Sequence, residues 1–184
     1  MKVFNNFYEM EKYYDESNKT YNFIEDNKRL NIKLNFDLSG EYKIYCNDLI
    51  AKEINIKHIE CNDLKAKNIY NSYGDCNIWA HNITCAEDLF ASNILASNVY
   101  ALNIYAKNLF CNNIYCVEVE TTDKIECYNT EAQGIHSQYI AIDNIKVSKY
   151  CIAVNEFKCK NIIKLSDEAE IFCCKNDIEY VKEC

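Results

Sequence analysis

Apolar and polar positions alternate along the middle of the chain with a period of five residues. The stretch ASNILASNVYALNIYAKNLFCNNIYC, residues 91–116, repeats a small residue, a variable one, Asn, an aliphatic residue and one that is often aromatic. Neither a helix nor an isolated strand has this period. The pattern continues, with irregularities, over about 120 residues. Internal repetition of this kind predicts a solenoid.

The unit itself predicts which side chains point inward. In an extended segment residues two apart share a face, so the aliphatic residue and the small residue two positions later both face the core. We expect Ala or Cys where walls approach closely, and Asn or Asp at corners, where they tolerate a left-handed backbone. If each unit forms one side, four sides close a coil of about 20 residues, stacked at the strand spacing of ~4.8 Å.

Two slips interrupt the step of five. Ile78 and Ile83 stand one residue early, and the extra residue Ala86 restores the register. Counted in fours, one column at steps of 20 is predicted to form an outward aromatic ladder: Ile50, Tyr70, Phe90 and Phe110. The neighbouring predicted pairs are Leu95 with Tyr115, Trp79 with Tyr100, and Thr84 with Tyr105.

The two ends of the chain carry different patterns. Residues 4–14 place Phe4, Phe7, Tyr8 and Tyr14 on one helical face, which predicts a short amphipathic helix. Residues 30–38 alternate strictly, as a half-buried strand does. Residues 1–40 are therefore predicted to form a cap, residues 41–165 the solenoid, and residues 166–184 two short strands of a C-terminal cap or dimerisation tail. The predicted fold class is an all-β, quadrilateral β-solenoid with a small N-terminal α/β cap.

Composition indicates the cellular environment and the kinds of partner to expect. Twelve Cys would suit a secreted disulfide scaffold, but the N-terminus MKVFNNFYEM lacks the order of a signal peptide, so we expect a reducing, cytoplasmic environment. The apolar runs are shorter than the ~18 residues that span a bilayer, so no membrane partner is expected. A net charge of −8 disfavours direct contact with nucleic acid and permits binding to a basic surface.

The sequence offers little sign of catalytic or metal chemistry. The Cys of the repeat occupy the inward position that Ala takes elsewhere, and no pair has the Cys-x-x-Cys spacing common in zinc sites, so packing is favoured over metal binding. The candidates for exposed thiols are Cys173, Cys174 and Cys184, and the predicted surface histidines are His58, His81 and His136. We predict no enzymatic activity, no cofactor and no metal.

The repeat units resemble those of the pentapeptide-repeat proteins. AKNLF, ASNVY and AEDLF carry the resemblance through their small residue, their Asn or Asp and their central aliphatic residue, although the small residue stands three positions before the aliphatic one instead of two. The resemblance implies a right-handed quadrilateral β-helix. Some members of that family are acidic rods that resemble duplex DNA and protect or inhibit DNA gyrase, commonly as dimers. A similar layout in short solenoid proteins of bacteria and their phages implies a bacterial or phage origin.

The leading hypothesis is a non-enzymatic, protein-binding solenoid. Its sharper form is an acidic nucleic-acid mimic that inhibits or protects a nucleic-acid enzyme, such as DNA gyrase or a phage-defence or CRISPR complex. The alternative is a structural, self-assembling scaffold, for which a homodimer is one form. The aromatic ladder can stabilise the sheet or form a binding face. The candidate partner-binding residues are Tyr70, Phe90, Tyr100, Tyr105, Phe110, Tyr115, Glu118, Glu120 and Glu126.

Overall fold

Parallel strands dominate the computed structural model, which describes residues 1–70, 77–173 and, for the backbone alone, 178–180. Strands account for 77% of the structure, wound into a parallel β-solenoid of about 8 turns, which confirms the all-β solenoid prediction. The helical element in the described residues is a 3-10 helix, Phe7–Tyr13. The strands are β1 (Lys2–Phe4), β2 (Tyr14–Asp15), β3 (Thr20–Asn22), β4 (Ile24–Glu25), β5 (Lys28–Arg29), β6 (Ile32–Leu34), β7 (Leu38–Tyr45), β8 (Asp48–Ile50), β9 (Glu53–Ala66), β10 (Asn68–Ile69), β11 (Asn77–Cys85), β12 (Asp88–Tyr100), β13 (Asn103–Tyr115), β14 (Glu118–Lys164), β15 (Glu170–Cys173) and β16 (Ile178–Tyr180).

Successive regular coils lie 15 residues apart. β12 pairs with β13 in parallel, with Asp88 opposite Asn103 and Tyr100 opposite Tyr115. β13 pairs with β14 in the same way, with Asn103 opposite Glu118. A regular coil therefore contains three five-residue units and has three sides. The prediction of a quadrilateral coil of about 20 residues, based on one unit per side, is wrong.

One enlarged coil explains the error. Ile69 pairs with Leu89, 20 residues further along the chain. This coil has four more residues than a regular unit between Ile69 and Ile78, and one more between Ile83 and Leu89. Together these insertions have the length of one five-residue unit. The spacing along the sequence therefore suggests four units per coil, whereas a regular coil contains three.

Three columns of inward aliphatic side chains form the core, as the unit predicts. Each column follows one side of the coil, and its members stack in register because the strands are parallel. Side A contains Ile44, Ile59, Ile78, Ile94, Leu109 and Ile125; side B contains Leu49, Leu64, Ile83, Val99 and Ile114; side C contains Ile54, Ile69, Leu89, Ile104 and Val119. All are at most 1% exposed, and burial of one such side chain contributes about 1.5–3 kcal/mol.

The Asn of the unit form ladders between coils. The longest ladder follows side B, where each amide nitrogen donates to the side-chain oxygen of the coil before it over 2.7–2.9 Å; its members are Asp63, Asn82, Asn98, Asn113, Asn129, Asn144 and Asn161. Among the described residues, the non-glycine residues with positive φ are Lys19, Asp26 and Asn27. The prediction that repeat Asn adopt a left-handed corner conformation is therefore wrong. They are needed for side-chain hydrogen bonds along the axis.

The N-terminal residues join the solenoid through strand pairing. β3 pairs with β7 and β6 pairs with β8, so the sheet is continuous into the first coil. The 3-10 helix packs Met10 and Tyr13 inward and leaves Tyr8 81% exposed, so the predicted α-helical face containing Tyr8 is wrong. At the other end, β15 and β16 pair in parallel with β14, which confirms two short C-terminal strands.

The side B ladder yields a first prediction. Asn98→Ala removes the bond that Asn98 donates to Asn82 and the acceptor that Asn113 uses. We expect unfolding free energy to fall by about 1–2 kcal/mol, because a partly buried amide then lacks its partner. Urea denaturation measures this, with Asn112→Ala, at an exposed position outside the ladder, as the control. Equal losses in the two variants would contradict a stabilising role for the ladder.

Two buried threonines provide a second prediction. Thr130 stacks on Ile114 in the side B column, and its hydroxyl oxygen has no hydrogen-bond partner. The Thr121 hydroxyl lies 2.6 Å from that of Ser137. Thr130→Val should raise the unfolding free energy by about 1 kcal/mol and Thr121→Val should lower it by a similar amount. Urea titration of both variants tests the opposite signs, and a shared sign would refute this account.

A cluster near the N-terminus leads to a prediction about pH. The Glu25 carboxylate accepts hydrogen bonds from Lys12 at 2.9 Å, from Lys2 at 2.5 Å and from the Tyr13 hydroxyl. The Lys12 bond, the largest cause, and the other two lower the pKa of Glu25 from 4.5 to about 2. A lowered pKa means that the carboxylate stabilises the folded protein fully above pH 4.5, and that this stabilisation is lost as the pH falls through about 2.

Glu25→Gln should therefore lower the urea midpoint near neutral pH, and this effect should shrink as the pH falls through about 2, because wild-type Glu25 then becomes protonated as well. Urea denaturation of both proteins across this range measures the difference. A difference independent of pH would show that the charge of Glu25 contributes nothing.

Candidate binding surface

The residue after each inward aliphatic points outward and forms a column on each side. On side C, Tyr70 stacks on Phe90 with ring centroids 6.2 Å apart, and Phe90 stacks on Tyr105 at 4.6 Å. The planes of these pairs differ by 21° and 13°. The structure thus brings together three of the predicted residues, and Tyr70 meets Phe90 across 20 residues only because the enlarged coil lies between them.

Side B carries a second aromatic pair. Tyr100 and Tyr115 are stacked with centroids 4.9 Å apart and planes 5° apart. Tyr100 also lies opposite Thr84, and Tyr115 opposite Glu131. Leu102, two residues after Tyr100, is 45% exposed and extends the apolar surface.

Side A carries Phe110, which is separate from the side C stack. Phe110 lies between Leu95 and Glu126 in register, and Leu95 lies next to Trp79. Trp79 and Leu95 are about half exposed, at 49% and 54%. Of the predicted column, Tyr70 and Phe90 do stack, but Ile50 lies on side B and Phe110 on side A. The three neighbouring predicted pairs are wrong, because regular coils step by 15 residues.

The predicted acidic residues lie on one coil and face different sides. Glu118 lies opposite Asn103 and Glu120 opposite Tyr105 on side C, whereas Glu126 lies opposite Phe110 on side A. Residues 118–131 contain five acidic residues and one basic residue, Lys124. Lys124 is 2.6 Å from Glu126, and Lys146 is 3.5 Å from Glu131. The acidic groups thus surround the axis at one level, and two of them are paired with lysines.

Residues 89–117 form what we call the apolar belt. They contain a single charged residue, Lys107, and span two successive coils of β12 and β13. Apolar side chains project from all three sides of the belt: Leu95 and Phe110 on side A, Tyr100 and Tyr115 on side B, and Phe90 and Tyr105 on side C, with Leu102 between β12 and β13, where side B meets side C. Sequence reasoning found the aromatic members and placed Leu95 on the outer face, but it missed Leu102, although the run without acidic residues was visible.

A groove of about 640 Å³ follows side A. Phe110 and Glu126 line one wall, and Asn112 and Tyr128 line the other, on either side of a floor of small residues that includes Cys111 and Cys127. The pattern explains the groove, because the small residue between two outward positions leaves a furrow along the axis. From the sequence, these Cys were predicted to pack in the core, and nothing in the pattern indicated the groove.

Cys111 and Cys127 stack in register on neighbouring coils, with their sulfur atoms 3.8 Å apart. Cys111 donates its S–H to Cys127, which raises the pKa of Cys111 and lowers that of Cys127. The Cys127 thiol in turn contacts the Asn129 carbonyl oxygen at 2.9 Å. The described part of the chain contains no group of three or more His, Cys, Asp or Glu arranged to hold a metal ion.

The predicted surface residues differ in their environment. His58 is half-buried between the rings of Tyr45 and Trp79, at 5.5 and 5.2 Å, and burial lowers its pKa. His81 is exposed, as predicted, and His136 lies 3.6 Å from Glu120. Cys173 is half-buried, whereas Cys174 and Cys184 lie outside the described residues.

These features define a class of protein, a parallel β-solenoid with stacked Asn ladders that is compatible with a β-helix or pentapeptide-repeat fold. The chain matches no protein-family model, no curated protein and no solved structure. Within the described residues, no helix combines the length and apolar character required to cross a membrane.

Proposed function

We propose that the protein is a non-enzymatic binding module that docks a protein partner through the apolar belt. The single observation that carries this proposal is that two consecutive coils expose apolar side chains on every side with one charge among 29 residues. Exposed apolar surface of this extent is typical of interaction sites, and Tyr, Trp and Phe dominate the energetics of interfaces.

The ring geometry favours a protein over a sugar or a base as the partner. In the Phe90–Tyr105 and Tyr100–Tyr115 pairs, each ring covers the face of its neighbour. The outer surface therefore presents ring edges, whereas stacking of a base requires an open face. Ring edges pack well against aliphatic and aromatic side chains. Rings that are already ordered also lose little rotamer entropy when a partner binds.

An acidic nucleic-acid mimic that acts on an enzyme such as gyrase or a phage-defence complex is the second candidate. The observation in its favour is the acidic coil of residues 118–131, which adjoins the belt. Its arrangement fits duplex DNA less well, because DNA carries one charge per ~1.7 Å along its axis. In the next coil, residues 134–148 contain one acidic residue, Asp143, and one lysine, Lys146. We therefore place the belt first and treat the acidic coil as its flank.

We also propose kinship with the pentapeptide-repeat proteins, with three units per coil as the distinguishing feature. The support is the five-residue unit itself, in which an aliphatic residue fills the core, a small residue lets walls approach and Asn forms ladders. A solved relative with coils of 15 residues would strengthen this proposal, and one with a different repeat length would weaken it.

Capture of partners from the source cell, followed by quantitative binding of the partner recovered, tests the belt. Leu95→Lys and Tyr115→Lys should each weaken binding about tenfold or more, because a charge enters the centre of the interface. Both side chains are exposed, and Lys65 occupies the outward column of side B, so the fold should tolerate Lys there. Circular dichroism of each variant checks this.

The acidic coil provides the matched control. Glu126→Gln and Glu131→Gln should leave binding within about twofold, and binding should persist at about 1 M salt, where charge interactions beyond ~3 Å are screened. Loss of binding in these variants and at high salt, with binding by Leu95→Lys unaffected, would contradict docking through the apolar belt and favour the nucleic-acid mimic. Recovery of the chain itself as the belt-dependent partner, with a dimer in light scattering, would instead support the self-assembling scaffold.

A further inference from the structure

Cysteine is concentrated in one of the three columns of small residues. The in-register run on side A is Cys61, Ala80, Ala96, Cys111 and Cys127, whereas the matching run on side C is Ala91, Ala106 and Thr121. Ala therefore satisfies the packing requirement at equivalent positions. Two neighbouring Cys at 111 and 127 need another explanation, and their sulfurs face each other at 3.8 Å.

The pair can be reached from solvent. Both residues line the 640 Å³ groove; Cys111 is partly exposed, and Cys127 beside it is 7% exposed. Cys46 and Cys61 lie one coil apart in the same column, where the Cys46 N–H donates to the carbonyl of Glu60, but Cys46 is fully buried. The pair formed by Cys111 and Cys127 is thus the one that the groove opens to a ligand.

The distance between the sulfurs suits a shared metal ion. Two metal–sulfur bonds of ~2.3 Å span up to ~4.6 Å when linear and ~3.8 Å at a tetrahedral angle. Cys111 and Cys127 can therefore contact one ion with small side-chain rotations and no movement of the backbone. Glu126, Asp143 and Cys159 also line the groove, but the described residues contain no group of three or more His, Cys, Asp or Glu arranged to hold a metal ion, so the ion must be one that two thiolates satisfy. Soft thiolate ligands select copper(I), zinc and iron–sulfur clusters. Zinc and the clusters require more than two protein ligands, whereas copper(I) can be held by two thiolates.

We propose that Cys111 and Cys127 form a binding site for one copper(I) ion at the floor of the side A groove. Binding replaces two S–H bonds by two S–Cu bonds, releases both protons to solvent and leaves every oxidation state unchanged. The ion links β13, in the apolar belt, to β14, in the acidic coil. The ion therefore cross-links two neighbouring coils where the surface changes from apolar to charged.

Anaerobic titration of the full chain with copper(I), in competition with a coloured copper(I) chelator, tests the site. We expect one tightly bound equivalent, and a loss of at least about tenfold in affinity in both Cys111→Ala and Cys127→Ala, since even residues beyond the ligands alter metal affinity by 10–100-fold. Ala occurs at positions 80 and 96 of the same column, so the variants should fold, and circular dichroism verifies this.

Two controls make the outcome decisive. Cys85→Ala, at a buried Cys in the side B column, should leave copper binding unchanged, and the Cys173→Ser, Cys174→Ser, Cys184→Ser triple variant should retain the tight equivalent. X-ray absorption of the loaded wild-type protein should show two sulfur neighbours. Unchanged binding in Cys111→Ala or Cys127→Ala, or its loss in the triple variant, would overturn the proposal and assign the copper to other thiols.

Discussion

In-register parallel pairing between coils is the constraint on which the rest of this structure depends. A parallel ladder places each residue beside its equivalent in the next coil at a spacing of ~4.8 Å. The step of 15 residues over β12 and β13 therefore puts aliphatic on aliphatic, Asn on Asn and ring on ring. A side chain at one position is thus selected by its neighbours one coil before and after, and columns act as the units of stability.

The same constraint explains what could be predicted from the sequence. The position of each inward residue follows from local alternation within a unit, so Ile94, Val99 and Ile104 were assigned to the core correctly and are fully buried. The size of the coil is a property of the pairing between distant units, and a strict five-residue repeat fits three or four sides equally well. The insertions between Ile69 and Leu89 together add the length of one unit, so the sequence in this part of the repeat indicated four sides per coil instead of three.

The error in coil size affected the surface more than the core. Every inward residue stays inward whether a coil has three sides or four, but the partner of each outward residue changes. Phe110 was assigned to the Tyr70 and Phe90 column, and it lies instead between Leu95 and Glu126 on side A. The candidate site was predictable as a set of residue types, and its three-sided arrangement required the register.

Charge along the axis decides which surface can bind a partner by packing. Desolvating a charged side chain costs free energy that only a well-placed opposite charge repays. The belt of residues 89–117 contains one charged residue, Lys107, and requires little such compensation. The next coil contains Glu118, Glu120 and Glu126. Under the proposed function, a partner on the belt would gain apolar burial up to a boundary at Glu118, beyond which the acidic coil would disfavour contact with acidic surfaces. The boundary can thus position a partner along a rod whose repeating coils would otherwise allow several equivalent registers.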